Sequence, residues 1–241
     1  MRPRIICHMI ASVDGRLTTE RWTAPDGGPA AALVHKAYDA TAARLGSQGW
    51  MVGRTTMADY VERESAPQLL DRPIRRASFE GRRNGRNLAV VLDPSGKLVH
   101  TSDDLDGDHA VAIVSERVDE VYLEALRATG VSYLFSGPDG SDLAGAMATL
   151  GEVFGVTTIL LQGGGTINGA FLAAGLIDEF STLIFPSVDG LAGIPSIVDY
   201  RGISTDRPAL GQSLHLIGNE MLEGGVVWLR HGVSHRAGTT L

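Results

Sequence analysis

Leu160–Leu176, LLQGGGTINGAFLAAGL, is the stretch on which the fold turns. It continues the apolar run Thr158–Leu161, which reads as a buried strand. Gly163, Gly164 and Gly165 follow, then Thr166. From Ile167 to Leu176 apolar residues recur at helical spacing and stop near Gly175. The order is therefore strand, glycine turn, helix. A glycine turn lets a bulky anion approach the backbone, because no Cβ stands in the way. A helix start adds free N–H groups and the positive end of its dipole. The stretch predicts a cradle for the diphosphate of a nucleotide cofactor, with Gly163, Gly164, Gly165, Thr166 and Ile167 around it. The competing reading is a tight turn in which the glycines only relieve strain.

The rest of the chain narrows the choice. A length of 241 residues suits one large domain or two small ones. A hydrophobic content of 44% with 20% charged residues fits an ordinary globular protein. The net charge of −7 argues against a nucleic-acid or anionic-membrane surface. Cys7 is the single cysteine, which excludes an internal disulfide framework and a cysteine-rich zinc site. The N-terminus does not read as a signal peptide, since Ile5–Ala11 is short and contains His8. No run reaches the roughly 18 apolar residues of a spanning helix. The expectation is a cytoplasmic protein in a reducing compartment.

Working outward, Ile5–Ala11 predicts a central strand ending in the turn Ser12-Val13-Asp14-Gly15. Ala30–Leu45 has one apolar helical face, and Trp50-Met51-Val52 is a short strand running into Gly53-Arg54-Thr55-Thr56. Glu62–Arg86 carries seven arginines against four acids and predicts a basic surface segment. Asn87–Asp93, Ala110–Val114 and Val131–Phe135 read as strands, and Asp119–Thr129 and Asp142–Phe154 as helices. Glu179–Pro186 is a further strand. Leu210–Ile217 and Val226–Arg230 form an expected antiparallel pair, joined by a loop over Gly218–Gly225. The expected organisation is a single domain over 1–231 and a polar tail over 232–241. Alternating strands and helices predict an α/β fold: a central mostly parallel sheet with antiparallel edge strands and helices on both faces. Such a sheet binds ligands beyond the carboxyl ends of its strands. Three turns belong there: Ser12–Gly15, Gly53–Thr56 and Gly163–Thr166.

These motifs, in this order, resemble the dihydrofolate-reductase-like fold, and most of all the C-terminal reductase domain of the riboflavin-biosynthesis deaminase/reductase with its stand-alone pyrimidine reductase relatives. Met9-Ile10-Ala11-Ser12-Val13-Asp14-Gly15-Arg16, Arg21-Trp22-Thr23, Gly53-Arg54-Thr55-Thr56, Leu161–Thr166 and Ala173–Phe180 carry the resemblance. It implies NADPH-dependent hydride transfer to the ribosyl group of a ribosylaminopyrimidine phosphate, and a homodimer. It implies that the glycine loop holds the cofactor diphosphate, that Gly53, Arg54 and Thr56 hold cofactor phosphate, and that Ser95, Ser115 and Arg117 serve the adenosine end. Arg117 is equally readable as a solvated charge. Asp14 and Asp59 would lie near substrate and assist protonation; Asp14 is also a turn-former, and Asp59 also a helix-surface acid. Ser12 would line the nicotinamide pocket or close a turn, and Trp22 would cap substrate or cover the core edge.

Two substitutions depart from the family pattern on the substrate side. His8 stands where a lysine is usual, and Gln162 where a glutamate is usual. The segment that holds substrate phosphate is absent, and the basic run with Arg72, Arg75, Arg76, Arg82 and Arg83 is its candidate replacement. Other readings stay open: a dihydrofolate reductase or a reductase of another imine or carbonyl, and a nucleotide-binding protein without catalysis. No metal is expected.

Overall fold

The alternation of period-2 and period-3.6 patterns builds an α/β fold, a mostly parallel mixed sheet flanked by helices, in the computed structural model of the chain. The structure describes residues 1–23, 30–58, 61–63 and 69–235. In chain order the elements are β1 (Arg4–Ser12), α1 (Ala30–Arg44), β2 (Gly49–Gly53), α2 (Arg54–Met57), β3 (Glu62–Arg63), β4 (Leu88–Leu92), β5 (Leu98–Val99) and β6 (Asp104–Leu105). They continue as β7 (Asp108–Val114), α3 (Glu120–Thr129), β8 (Ser132–Phe135), α4 (Leu143–Phe154), β9 (Thr158–Leu161), α5 (Gly165–Ala173), β10 (Glu179–Phe185), β11 (Gln212–Met221) and β12 (Val227–His235). The chain divides into two compact units, where a single domain is the sequence expectation. One unit is Met1–Arg4 with Gln48–Ile159, the other Ile5–Ser47 with Leu160–Leu241.

In the first unit β2, β4 and β7 run parallel, with Met51 opposite Val90 and Val90 opposite Val111. β8 joins β7 in parallel, and the two-residue β6 pairs antiparallel with the start of β7. These strands are apolar nearly throughout because both faces are covered. Val91, Ala112, Val114, Leu123, Leu126 and Tyr133 form one core cluster. The helix ends follow local chemistry. Asp119 caps α3 by accepting from Tyr122 N–H at 2.8 Å, and Asp142 caps α4 through Gly145 N–H at 2.8 Å. Gly130 and Gly155 close those helices with positive φ.

In the second unit β1 pairs in parallel with β10, β10 antiparallel with β12, and β12 antiparallel with β11. Trp22, Val34, Ala37, Leu183, Phe185, Val226 and Trp228 make its core on the α1 side. The terminal hairpin is longer than its pattern suggested. β11 runs on to Met221 through a register shift between Leu216 and Gly218, so Gly218–Met221 is strand and not loop. β12 continues to His235, past the expected start of a polar tail at 232. Gly218 next to polar Asn219 and Glu220 mimics a turn signal; the bulge absorbs it instead.

Candidate functional site

The glycine loop is placed as predicted, between β9 and α5. Gly163 has φ +93°, and a Cβ there would stand 2.9 Å from Met9 Cε of β1. The Gly163–Gly164 peptide is cis. Gly164 is the N-cap of α5, and its carbonyl accepts from Ile167 and Asn168 N–H. Among the described residues the N–H groups of Gly164, Gly165 and Thr166 have no acceptor. Thr166 is exposed and Gly164 half-buried, whereas Ile167 is buried in the first turn.

Gly165 has a second reason to be glycine. A side chain there would run into the Ser196 carbonyl and come within 3.0 Å of the Asp199 carboxylate. Four residues on, a Cβ at Gly169 would stand 2.6 Å from Tyr200 N. One small-residue face of α5 therefore seats the backbone of 196–200. That segment is locked by Asp199, which accepts from Ser196 N–H at 2.7 Å and Ser196 Oγ–H at 2.9 Å, while Asp199 N–H donates to the Gly165 carbonyl at 2.9 Å. Asn168 lies wholly buried beneath; its Nδ2 donates to the Ile197 carbonyl at 2.7 Å and its Oδ1 has no partner among the described residues. No motif in the sequence marks Asn168, Ser196 or Asp199. The Gly165-x-x-x-Gly169 spacing is the signal that points to a backbone packed on this helix.

At the end of β1, buried Ser12 donates Oγ–H to Asp14 at 2.6 Å and accepts from Arg16 N–H. Asp14 also accepts from Gly190 N–H at 2.8 Å and Asp189 N–H at 3.2 Å. The Ser12 hydroxyl and the Gly190 amide hold its carboxyl down at about 2. Asp14 is thus a carboxylate at neutral pH with no proton to donate, and it ties together two turns. The second turn, Ser187-Val188-Asp189-Gly190, repeats the tetrapeptide Ser12-Val13-Asp14-Gly15 at the end of the parallel neighbour β10. The repeat is legible in the sequence. Arg21 completes the arrangement through Asp189 at 2.7 Å.

His8 and Trp22 are core residues. Wholly buried His8 places Nε2 3.2 Å from the Tyr38 carbonyl and Nδ1 2.9 Å from Ser181 Oγ. A carbonyl only accepts, so Nε2 carries the proton and Nδ1 accepts from Ser181, which in turn accepts from Trp228 Nε1–H at 2.8 Å. Burial lowers the imidazole to about 4, so the ring is neutral. Trp22 stacks on Phe185 at 5.4 Å inside the α1-side core. Gln162 is half-buried after β9.

In the first unit Gly53 is the N-cap of α2, with Arg54, Thr55 and Thr56 in its single turn. Arg54 is 38% exposed, and its Nε lies 3.7 Å from the carboxylate of wholly buried Asp93. Asp93 Oδ2 accepts from Leu98 N–H at 2.8 Å, and burial raises its carboxyl despite that bond and the Arg54 charge. Ser95 is half-buried in the turn after β4; Ser115 is buried after β7 and accepts from Arg117 N–H. Arg117 donates to the Leu70 carbonyl at 2.9 Å and lines a groove of about 460 Å³ with Asp71, Pro73, Pro138, Asp139 and Ser141. Of the basic run, Arg76 is spent on the Glu116 and Val118 carbonyls and Arg83 on the Phe154 carbonyl. Arg72, Arg75 and Arg82 point to solvent. Asp59 lies outside the described residues.

The family described as the RibD C-terminal domain matches residues 3–227. Among solved structures, a pyrimidine reductase-like protein of Corynebacterium diphtheriae is similar over 97% of this chain and 92% of its own, at 18% identity and a TM-score of 0.63. RibD of Acinetobacter baumannii matches 97% of this chain at 18% identity and a TM-score of 0.60; the match spans 58% of that longer protein. The riboflavin biosynthesis reductase Rib7 of Saccharomyces cerevisiae matches 97% of this chain and 90% of its own at 13% identity and a TM-score of 0.56. At these identities the structures speak to fold alone. The family match covers nearly the whole chain, and with the glycine loop, the paired turns and the α/β sheet it shows that this chain belongs to the RibD C-terminal domain family, among the reductase domains of riboflavin biosynthesis.

Proposed function

We propose that the chain is an NADPH-dependent reductase that delivers hydride to the ribosyl group of a ribosylaminopyrimidine phosphate. The observation that carries the reading is the start of α5, where three amides without acceptors stand beside glycines on a nine-residue helix. Those donors suit a diphosphate, and the residues present fit the cofactor: Gly164, Gly165 and Thr166 N–H would hold its bridge. When bound, NADPH supplies the hydride, so the protein needs no nucleophile. In this reading Gly163 keeps the loop close to Met9. The Ser196–Asp199 clasp fixes the direction of α5, and Asn168 supports the loop from below. Arg54 reads cofactor phosphate, with Gly53 and Thr56 beside it, and Ser95, Ser115 and Arg117 serve the adenosine end. Asp14 orients the two Ser-Val-Asp-Gly turns and accepts hydrogen bonds. The setting is the cytoplasm, consistent with a lone, wholly buried Cys7 whose thiol burial pushes up. A homodimer is the working unit.

The deciding experiment follows loss of NADPH absorbance with the pyrimidine phosphate, with dihydrofolate, and with no substrate. Turnover with the first alone is expected. Turnover with dihydrofolate in its place moves the substrate assignment, and tight binding without turnover of any substrate sinks the enzyme. In Gly164→Asp, NADPH binding should weaken on the order of 100-fold by calorimetry, since a carboxylate would stand among the diphosphate donors. Gly164 has φ −68° and ψ −173°, which any residue adopts, and Asp is a good N-cap, so the variant should fold. Unchanged affinity takes this loop out of the cofactor site.

A further inference from the structure

The twin Ser-Val-Asp-Gly turns stand side by side at the carboxyl ends of β1 and β10. Val13 N–H donates to the Ser187 carbonyl at 2.8 Å, and the Asp189 and Gly190 amides donate to Asp14. Parallel neighbours that turn alike bring like residues together, so each turn delivers a carboxylate to the same rim. Carboxylates so placed repel unless cations answer them. Both cations come from one stretch of chain. Arg16 places Nε 3.9 Å from Asp14, and Arg21 meets both oxygens of Asp189, with Nε at 2.7 Å and Nη2 at 3.1 Å.

That stretch, 16–23, is a strap laced along the rim. At its near end Arg16 pairs with Ser196 in an antiparallel bridge, and its Nη1 donates to the Ile194 carbonyl at 2.9 Å. Leu17 N–H donates to the Pro195 carbonyl at 3.0 Å. At its far end Thr23 N–H donates to the Val188 carbonyl at 3.1 Å, and Thr23 Oγ1 accepts from Val188 N–H at 3.1 Å. The Thr23 carbonyl accepts from Ser187 Oγ–H at 2.7 Å. Ser196 is also the residue whose carbonyl stands against Gly165, so the strap runs from the start of α5 across the ends of β1 and β10. Ligands of such sheets bind beyond those ends. Trp22 is the one buried residue of the strap. Burial therefore anchors it at a single point, and the charged pairs decide where the rest lies. An isolated surface ion pair would be too weak for that task, but a two-pronged arginine–carboxylate pair within a network is the exception.

We propose that Arg21 and Asp189 are positioning residues: their two-pronged pair locks the strap 16–23 onto the twin turns, and the locked strap is the wall against which substrate seats. The identity of that substrate rests on the reductase reading above. The lock acts through the strap, so it governs how tightly substrate is held and not how fast hydride moves.

The test uses Arg21→Gln in the full chain. Arg21 is exposed, so the variant should fold with the far-UV circular dichroism of the wild type. Hydrogen exchange at the Leu17, Thr23 and Val188 amides should quicken at least about 10-fold. With NADPH saturating, KM for the pyrimidine phosphate should rise about 5–10-fold, with kcat and NADPH affinity held within about twofold. Asp189→Asn keeps an acceptor for Leu191 N–H and removes the charge, and it should do the same. The double variant should add little to either single, because both remove one interaction. Arg44→Gln breaks another two-pronged pair of this unit, with Glu220, and should move neither readout. Unchanged exchange in Arg21→Gln overturns the lock, and singles that add in the double variant overturn the pair. Quickened exchange with an unchanged KM overturns the seating role. Should the wild type turn over no substrate, the reading above falls and takes the seating role with it, while exchange still decides the lock.

Discussion

Arg54 is the residue where two demands meet. Its guanidinium stands 3.7 Å from Asp93, a carboxylate with no exposure and an Oδ1 that accepts no hydrogen bond. Half of its fork is thus committed to a charge inside the protein, and the solvent-facing remainder is what a cofactor phosphate could use. Arg54→Ala should lower affinity for NADPH more than for NADH, by roughly 10-fold in the ratio for one lost charge-assisted contact. The ratio is the readout to trust, because the variant also strips Asp93 of its cation and costs stability. Equal loss for both cofactors means that Arg54 does not read the 2′-phosphate. Of the single residues, the sequence marks the glycine turn before α5 well, because its chemistry is local. It could not show that Asp14 is held ionised by Ser12 and Gly190, since the Gly190 amide lies 176 residues away. It left His8 between ligand and core; a buried ring whose two nitrogens meet Tyr38 and Ser181 is core.

Elements were the most legible scale. β9, β4, β7, α3 and α4 lie within two residues of where periodicity and caps put them, because their apolar patterns are long and their ends carry Asp, Asn or Gly. The failures share a cause. The 196–200 segment has no periodicity, so its docking on α5 was invisible, and β11 was cut short because its bulge breaks the alternation. Gly169 tests the first of these. Gly169→Ala would bring a methyl against Tyr200 N and the Asp199 backbone. Alanine raises helix propensity by up to about 1 kcal/mol, yet overpacking should cost about 1–3 kcal/mol. A net loss in unfolding free energy is expected, with faster amide exchange at 196–200. A stabilised variant would mean that the segment does not rest on this helix.

For the molecule as a whole, acid is the informative variable. His8 has a folded value near 4 against 6.5 for the free side chain, and His100, buried with neither ring nitrogen partnered among the described residues, is lowered to about 4 as well. The unfolded chain therefore binds more protons between those values. Stability is complete above pH 6.5 and falls as pH drops toward 4, by about 3 kcal/mol for His8 alone. Denaturant midpoints measured from pH 7 to 4 should fall accordingly. His8→Gln should start lower at pH 7 and descend less steeply; an acid limb parallel to the wild type would clear His8 of the effect.

The chain of hydroxyl and ring that begins at Trp228 has an optical consequence. Its indole N–H is anchored to Ser181, and the guanidinium of Arg44 lies 4.5 Å over the ring. Placing a proton on His8 turns the serine hydroxyl around and adds a cation one link from the indole, changing the field in which that fluorophore emits. The emission of Trp228 thereby reports the protonation of His8.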